Sequence, residues 1–192
     1  VGSEMCIRDR YKTIEEKFSV LKSLPNVEFH FIGQGEKAKS IETAIEICDK
    51  MTMMHYDRSS TIFAVGGGVV GDIAGFVASI FMRGIDYIQY PTTLLAMVDS
   101  SIGGKTGVNL KSGKNLIGRI HQPKKVIIDL SFLDTLPQRE INASLAEAIK
   151  YGFIYDKELF NYIVENISDI LTAKNQTALK KIILRSCEIK SE

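Results

Sequence analysis

The sequence has 192 residues, of which 24 are Lys or Arg and 23 are Asp or Glu, and 45% are hydrophobic. This length allows one substantial hydrophobic core and part of a second, and the balanced charge excludes a global attraction to nucleic acid or to a membrane surface. No apolar run reaches the roughly 18 residues that cross a bilayer, and the first residues lack a signal-peptide pattern. Three cysteines without paired spacing argue against a disulfide framework or a zinc knuckle. We therefore expect a cytoplasmic globular protein.

The beginning of the chain divides into a segment without pattern and a region of regular elements. Residues 1–10 (VGSEMCIRDR) show neither periodicity nor turn residues that would connect them to the next element, so we expect them to be extraneous to the fold. Residues 27–32 have the pattern of a strand, and a helix is predicted from Ser40. A further helix is predicted before that strand, where apolar residues recur at helical spacing: Ile14, Phe18, Leu21 and Leu24.

A glycine turn between a strand and a helix is the most informative local pattern. The apolar run 61–65 leads into GGGVVGD, after which apolar residues return at helical spacing. Gly66, Gly68 and Gly71 have the G-x-G-x-x-G spacing that brings backbone amides against a pyrophosphate at a helix N-terminus. Asp72 then serves either as a helix N-cap or as a contact to a cofactor sugar or amide. Such turns also occur in α/β domains that bind no ligand, so the pattern alone leaves both alternatives open.

A basic stretch comes after the next predicted strand, residues 86–90. Residues 91–93 (PTT) are start signals for a short apolar helix at 94–98, and no Asp or Glu occurs from Ser100 to Ile128. Glycines and cations together favour binding of a phosphate or carboxylate, and a solvated basic surface is the alternative. The absence of aromatic residues argues against nucleic acid. The cations of this stretch are Lys105, Lys111, Lys114, Arg119, Lys124 and Lys125.

The second part of the sequence is helical. A strand is predicted at 125–129, and the order of the elements up to this point indicates an open, mostly parallel sheet with helices on both faces. Pro137 marks the expected domain boundary, and further helices are predicted near 159–171 and 176–190. On the helix after Pro137, Glu147 and Lys150 lie opposite the buried stripe, either as an exposed ion pair or as residues that line a ligand cavity.

Several motifs together resemble one known family. GGGVVGDIAGF, RGI, PTTLLAMVDSSIGGKTGVN, GKNLIG, DTLPQRE and AEAIKYG occur in the order of the 3-dehydroquinate synthase family. The resemblance implies an α/β fold in which a Rossmann-like, doubly wound parallel sheet that binds NAD (residues 1–137) precedes the start of an all-helical C-terminal domain (138–192). It also implies a divalent metal, zinc or cobalt, a site between the two parts, and a homodimer when the protein is intact.

The resemblance also implies roles for individual residues. Glu147 matches a metal ligand, and Arg83 matches a residue that reaches the substrate across a dimer interface. Contacts to substrate and nicotinamide are implied at Asp99, Lys105, Lys114, Asn115, Lys150 and Lys190. Cofactor contacts are implied at Glu36, Lys39, Gly67, Gly68, Val69, Gly71, Asp72, Thr92, Thr93, Asp99, Lys105 and Lys114.

The implied reaction converts 3-deoxy-D-arabino-heptulosonate 7-phosphate, a small anionic sugar phosphate, into 3-dehydroquinate and phosphate in the shikimate pathway. The sequence departs from the family at Ile120 and Ser144, which replace a phenylalanine and a glycine. The family's paired histidine ligands belong to a motif beyond Glu192, so we expect these 192 residues to be inactive alone. The alternatives are another sugar phosphate cyclase, a metal-dependent polyol dehydrogenase, or a non-catalytic nucleotide-binding module.

Overall fold

The computed structural model describes residues 3–7, 25–33, 35–171 and 175–192. The strands are β1 (Ser3–Ile7), β2 (Val27–Phe31), β3 (Thr61–Gly66), β4 (Asp86–Pro91), β5 (Lys105–Leu110), β6 (Gly113–Ile120) and β7 (Lys125–Val126). The helices are α1 (Ile41–Met53), α2 (Gly68–Ile80), α3 (Gln138–Ile154), α4 (Lys157–Glu165), α5 (Ile167–Leu171) and α6 (Gln176–Ser191). Short 3₁₀ turns lie at Glu36–Ala38, Phe81–Arg83 and Leu130–Thr135, and a π-helical turn lies at Ala96–Ser100. The helix predicted around residues 14–24 falls outside the described residues.

Five strands form one parallel sheet in the order β2-β1-β3-β4-β7. Parallel strands are joined by crossover connections: α1 connects β2 to β3, and α2 connects β3 to β4. The predicted fold class is therefore confirmed. The carboxyl ends of β3 and β4 lie side by side, because Gly66 pairs with Pro91. This edge of the sheet is where α/β proteins of this topology carry their ligand sites.

The strand at Ser3–Ile7 differs from the expectation for residues 1–10. These five residues pair with both β2 and β3 and so occupy the place between them. The reason is that ladder hydrogen bonds use only the backbone, and both neighbouring strands have N–H and C=O groups that need a partner. A segment without side-chain periodicity can meet that requirement.

Two hydrophobic cores lie on opposite sides of β3. Ile62 and Ala64 belong to the core built with α1 and α2, whereas Val65 belongs to the core built with the helices after residue 130. Successive side chains of a strand point to opposite faces, which explains the division. The helical part therefore packs directly on the sheet, and the two sides of the boundary at Pro137 share one core.

The hairpin of β5 and β6 was not predicted from the sequence. Gly107 and Gly118 face each other across it, and a Cβ on Gly118 would lie 2.2 Å from the carbonyl oxygen of Thr106. This close approach requires glycine on both strands. Two of the glycines that the sequence analysis assigned to anion binding thus allow two strands to pair. The following strand, β7, covers Lys125–Val126 and is shorter than the predicted strand 125–129.

No helix in the described ranges combines the length and hydrophobicity that a membrane crossing requires. Cys48 and Cys187, the two cysteines whose side chains are described, are both free thiols. The free state of these two cysteines agrees with the expectation that the chain has no disulfide framework.

Helices α3 and α4 meet backbone to backbone at Gly152. A Cβ on Gly152 would lie 2.8 Å from the backbone nitrogen of Phe160. We expect Gly152→Ala to lower the free energy of unfolding by about 1–3 kcal/mol, because backbone cannot move aside as a side chain can. Urea unfolding measures this change. Gly33→Ala is the control, since among the described residues its Cβ would meet only Ala38 Cβ, at 3.7 Å; equal losses in both variants would contradict the prediction.

Candidate active site

A cavity of about 510 Å³ lies where α2, the π-helical turn, the hairpin and α6 meet. Its wall carries two carboxylates and three cations among other side chains, so it is polar and charged. The lining residues are Asp72, Asp99, Ser100, Ile102, Lys105, Thr106, Gly107, Asn115, Leu116, Gly118, Arg119, Ile120 and Lys190.

The glycine turn forms the start of α2 beside this cavity. Gly67 is the N-cap, its carbonyl accepts from the amides of Val70 and Gly71, and no side chain caps the helix. A Cβ on Gly68 would lie 2.9 Å from Ser100 Oγ, and a Cβ on Gly67 would lie 3.2 Å from Thr93 Cγ2. Side chains at 67 and 68 would therefore collide with Thr93 and Ser100, so the uncapped turn can pack this closely only with glycine at these positions. This glycine cradle fits the pyrophosphate of a dinucleotide.

Asp72 is not an N-cap, which corrects one of the two sequence-based alternatives. It lies in the second turn of α2, and its carboxylate forms an ion pair with Lys39. Lys39 is 5% exposed and also donates to Asn115 Oδ1. Burial raises the pKa of Asp72, and Lys39 opposes that rise. A buried cation with two acceptors thus connects the loop before α1 to α2 and to the hairpin.

The loop that carries Lys39 is held against the hairpin by Asn109. The Asn109 amide donates to Lys39 O at 2.8 Å, and its side chain donates to Glu36 Oε2 at 3.0 Å. Asn109 Oδ1 also accepts from the backbone of Asn115 at 2.9 Å, where Asn115 has a φ of 56°. Asparagine tolerates this left-handed backbone better than most residues. The hairpin therefore places Glu36, Lys39 and Asn115 together.

Asp99, on the π-helical turn, receives donors from two helices of the C-terminal part. Tyr151 Oη donates to Asp99 Oδ1 at 2.6 Å, and Lys190 Nζ donates to the same oxygen and to the Asp99 carbonyl, the latter at 2.7 Å. Burial acts to raise the pKa of Asp99, but the hydrogen bonds from Lys190 and Tyr151 together outweigh it and hold that pKa below its usual range. Burial and the adjacent carboxylate also raise the pKa of Tyr151, so its phenol remains a donor.

Glu147 and Lys150 form an ion pair one helical turn apart on α3, next to Tyr151. The Lys150 ammonium lies 5.0 Å from the centre of the Tyr151 ring. The described ranges contain no group of three or more His, Cys, Asp or Glu side chains that could hold a metal ion. A catalytic zinc site uses three protein ligands, so Glu147 alone does not form one.

The structure brings some of the proposed site residues together and separates others. Arg83 lies at the far end of α2, about 18 Å along a 13-residue helix from Gly68. Lys114 is exposed on β6 and is absent from the cavity wall. Thr92 and Thr93 lie directly after β4 at the sheet edge beside the glycine turn. Those that line the cavity are Asp72, Asp99, Lys105, Asn115 and Lys190.

The basic stretch does not form a single surface. Lys105 and Arg119 line the cavity, whereas Lys124 pairs with Asp86 at 2.5 Å. Lys111 and Lys125 are exposed and lie outside the cavity wall. The reason is that the cations belong to different elements, since Lys111 lies in the turn between β5 and β6 and Lys124 and Lys125 lie at β7.

Two residues at the site, Tyr151 and Thr106, were missed by the sequence analysis, and a third, Arg119, was named only as one of the cations of the basic stretch. Tyr151 belongs to the buried stripe of α3. Its position three residues after Ala148, which is one helical turn, could have predicted that it is buried on the same face. Arg119 lines the cavity and also donates to Ser79 O at 3.1 Å, near the end of α2. Thr106 lines the cavity while its hydroxyl donates to Arg119 O at 2.7 Å. The last two depend on the pairing of the hairpin strands.

Known proteins match this chain over most of its length. The family models for the N-terminal and C-terminal parts of 3-dehydroquinate synthase match residues 29–143 and 144–192, respectively. The 3-dehydroquinate synthase of Thermoanaerobacter sp. (strain X514) is 53% identical over 174 residues, which are 91% of this chain and 49% of that protein. The chain spans about half the length of the curated relatives it matches.

Two solved structures show the same arrangement with ligands. ValA, a 2-epi-5-epi-valiolone synthase from Streptomyces hygroscopicus subsp. jinggangensis 5008 with NAD⁺ and Zn²⁺ bound, is 31% identical with a TM-score of 0.88. It matches 98% of this chain and 54% of its own. A 2-deoxy-scyllo-inosose synthase complexed with carbaglucose-6-phosphate, NAD⁺ and Co²⁺ is 27% identical, with a TM-score of 0.75 over 98% of this chain and 57% of its own.

Replacing Lys39 with methionine leaves the Asp72 carboxylate without its cation. The side chains of the pair are 6% and 21% exposed. We expect Lys39→Met to lower the free energy of unfolding by about 1–3 kcal/mol, less than for a fully buried pair because Asp72 keeps some solvent contact. Lys37→Met, an exposed change two residues away, is the control and should alter it by less than about 0.5 kcal/mol.

The effect of Lys39→Met on stability depends on pH with a definite sign. Burial raises the folded-state pKa of Asp72 above 3.8, and loss of Lys39 raises it further. A raised acid pKa contributes stability below the unfolded value, and this contribution is lost as the pH rises through the folded value. The variant should therefore recover stability relative to wild type as the pH falls from neutrality. Urea unfolding at several pH values checks this, and a deficit that does not change with pH would contradict it.

Proposed function

This chain belongs to the 3-dehydroquinate synthase family, and we propose that the full-length protein is a 3-dehydroquinate synthase. It converts 3-deoxy-D-arabino-heptulosonate 7-phosphate into 3-dehydroquinate and phosphate, a step of aromatic amino acid biosynthesis. The shared cavity supports this most directly, because it brings Asp72, a proposed cofactor contact, together with the proposed contacts to substrate and nicotinamide: Asp99, Lys105, Asn115 and Lys190. The 53% identity to a named synthase supports the same assignment.

NAD fits the glycine cradle at the start of α2. The uncapped amides there favour a pyrophosphate, and Gly67 and Gly68 let the turn pack closely on Thr93 and Ser100. When bound, NAD supplies reversible acceptance of a hydride from a substrate alcohol. Glu36 and Lys39 lie on the loop before α1, which Asn109 of β5 holds by hydrogen bonds. We propose that these two residues contact the adenosine side of the cofactor.

The cavity wall suits a substrate with several negative charges. Lys105 and Arg119 project from the hairpin and Lys190 from α6, so three cations surround one space. Asp99 fixes the Lys190 ammonium by two hydrogen bonds and thereby holds its charge in one position. A site that holds a carboxylate and a phosphate in this way also fixes the orientation of the ring between them.

A divalent metal, zinc or cobalt, is part of the proposal for the full-length protein. Among the described residues, Glu147 alone is insufficient to hold it, so two further ligands must come from outside these residues. We therefore assign no catalytic step to the metal. We also propose that the 192 residues alone are inactive, and that the active form is a homodimer in which Arg83 reaches the partner's substrate.

A different sugar phosphate cyclase is the second candidate function. The ValA and 2-deoxy-scyllo-inosose synthase structures favour it, since both have this fold with NAD⁺ and a metal ion bound. Their identities of 31% and 27% lie well below the 53% for the 3-dehydroquinate synthase relative. The difference favours the dehydroquinate reaction.

Phosphate release from defined substrates tests the proposed function. The full-length protein, supplied with NAD and Zn²⁺ or Co²⁺, should release phosphate from 3-deoxy-D-arabino-heptulosonate 7-phosphate and form 3-dehydroquinate, and chelation of the metal should abolish this activity. The 192-residue chain should release none under the same conditions. Release from glucose 6-phosphate without release from the heptulosonate would overturn the assignment in favour of another cyclase. Turnover by the 192-residue chain would contradict its proposed inactivity.

A further inference from the structure

Tyr151 connects the helical part of the chain to the cavity wall. It lies in α3, is 6% exposed, and donates its phenolic hydrogen to Asp99 Oδ1 at 2.6 Å. Asp99 belongs to the π-helical turn, which is part of the α/β half and comes soon after β4. One buried side chain of α3 therefore fixes a carboxylate that lines the cavity on the other half.

The two donors to Asp99 use the same oxygen. Lys190, from α6, also donates to Oδ1, and within the described residues no hydrogen bond reaches Oδ2. A carboxylate offers about four acceptor positions on its two oxygens, so the second oxygen keeps its capacity to accept. Since Asp99 lines the cavity, that capacity is available to a ligand there.

The ring of Tyr151 also restricts the helix that carries it. The Lys150 ammonium lies 5.0 Å from the ring centre, and Glu147 is one turn earlier on the same helix. The hydrogen bond from Tyr151 to the opposite half adds to the buried stripe of α3 in fixing the rotation of this helix, and that rotation decides where Glu147 and Lys150 point. The phenol thus couples three charged side chains through one contact.

We propose that Tyr151 is a positioning residue: it holds Asp99 so that Oδ2 accepts a hydroxyl group of the bound sugar phosphate, and it sets the orientation of α3 at the same time. The identity of the ligand in this inference rests on the proposed function. The hydrogen bond between Tyr151 and Asp99 is independent of that function. The hydrogen bond of a phenol to a charged carboxylate is of the stronger kind, which suits it to this role.

Tyr151→Phe in the full-length protein removes the hydroxyl and keeps the ring. We expect kcat to fall about tenfold, as for loss of one hydrogen bond to a charged group. Tyr155→Phe is the matched control: it is the same change at the end of the same helix, and Tyr155 is 70% exposed. Kinetics of Tyr151→Phe that equal those of Tyr155→Phe would overturn the proposal.

A spectroscopic readout separates positioning from a general structural role. With ¹³C-labelled aspartate, the Asp99 carboxylate signal can be assigned by its loss in Asp99→Asn. At neutral pH it should shift in Tyr151→Phe and not in Tyr155→Phe. If Tyr151→Phe does not fold, 3-fluorotyrosine at position 151, a stronger donor with the same ring, should shift the signal in the opposite direction. An unmoved signal overturns the proposal.

These readouts also separate this inference from the proposed function. If the full-length wild-type protein releases no phosphate from the heptulosonate, the proposed function fails. The carboxylate signal would still decide whether Tyr151 positions Asp99. If phosphate is released and the signal does not respond to Tyr151, the function stands and the inference fails.

Discussion

The close packing of α2 is the constraint on which the rest of the structure depends. Gly68, Gly71 and Gly75 lie on one face of this helix, and a Cβ on each would come within 2.9 Å of Ser100, 2.6 Å of Gln89 and 2.4 Å of Thr106, respectively. The helix backbone therefore lies directly against the π-helical turn, β4 and the hairpin. Because all three elements contact one rigid helix, their side chains converge on one cavity at the carboxyl edge of the sheet. A side chain at any of these positions would move one wall of that cavity away from the others.

The charges of the cavity are arranged as two local pairs, one for each half of the site. On the α/β side, Lys39 neutralises Asp72 beneath the hairpin. On the helical side, Lys190 and Tyr151 stabilise the ionised form of Asp99. Each carboxylate has its own cationic partner, which favours its ionised form although the two share a cavity. Lys105 and Arg119 remain as additional cations in the wall, so the cavity of this nearly neutral chain is lined by three cations and two carboxylates.

The two halves of the chain are less independent than the domain boundary suggests. The helices after residue 130 share a core with Val65 of the central strand and with Leu94, Met97 and Val98 before and within the π-helical turn. Cys187 of α6 donates to Met97 O, and Lys190 donates to Asp99 O, so two side chains of α6 satisfy carbonyls of that turn. A π-helical turn is a rare conformation that often marks a functional position. Here it aims Asp99 at the cavity, and the helical half holds it there.

Apart from β1 and the hairpin, the sequence by itself determined the order of strands and helices, the parallel sheet and the glycine turn, because these depend on local periodicity and on the backbone freedom of glycine. The family motifs also pointed to Asp72, Asp99, Lys105, Asn115 and Lys190, which line one cavity. Only the tertiary structure decided which cations share that space: Lys105 and Arg119, near the paired open ends of the hairpin strands, line the cavity, whereas Lys114, next to the turn, does not. It likewise replaced the N-cap role of Asp72 by an ion pair with Lys39 and revealed Tyr151 as the partner of Asp99. These contacts join residues 33 and 52 positions apart. A local sequence pattern does not predict which residues so far apart come into contact, because that depends on how the helices and strands pack.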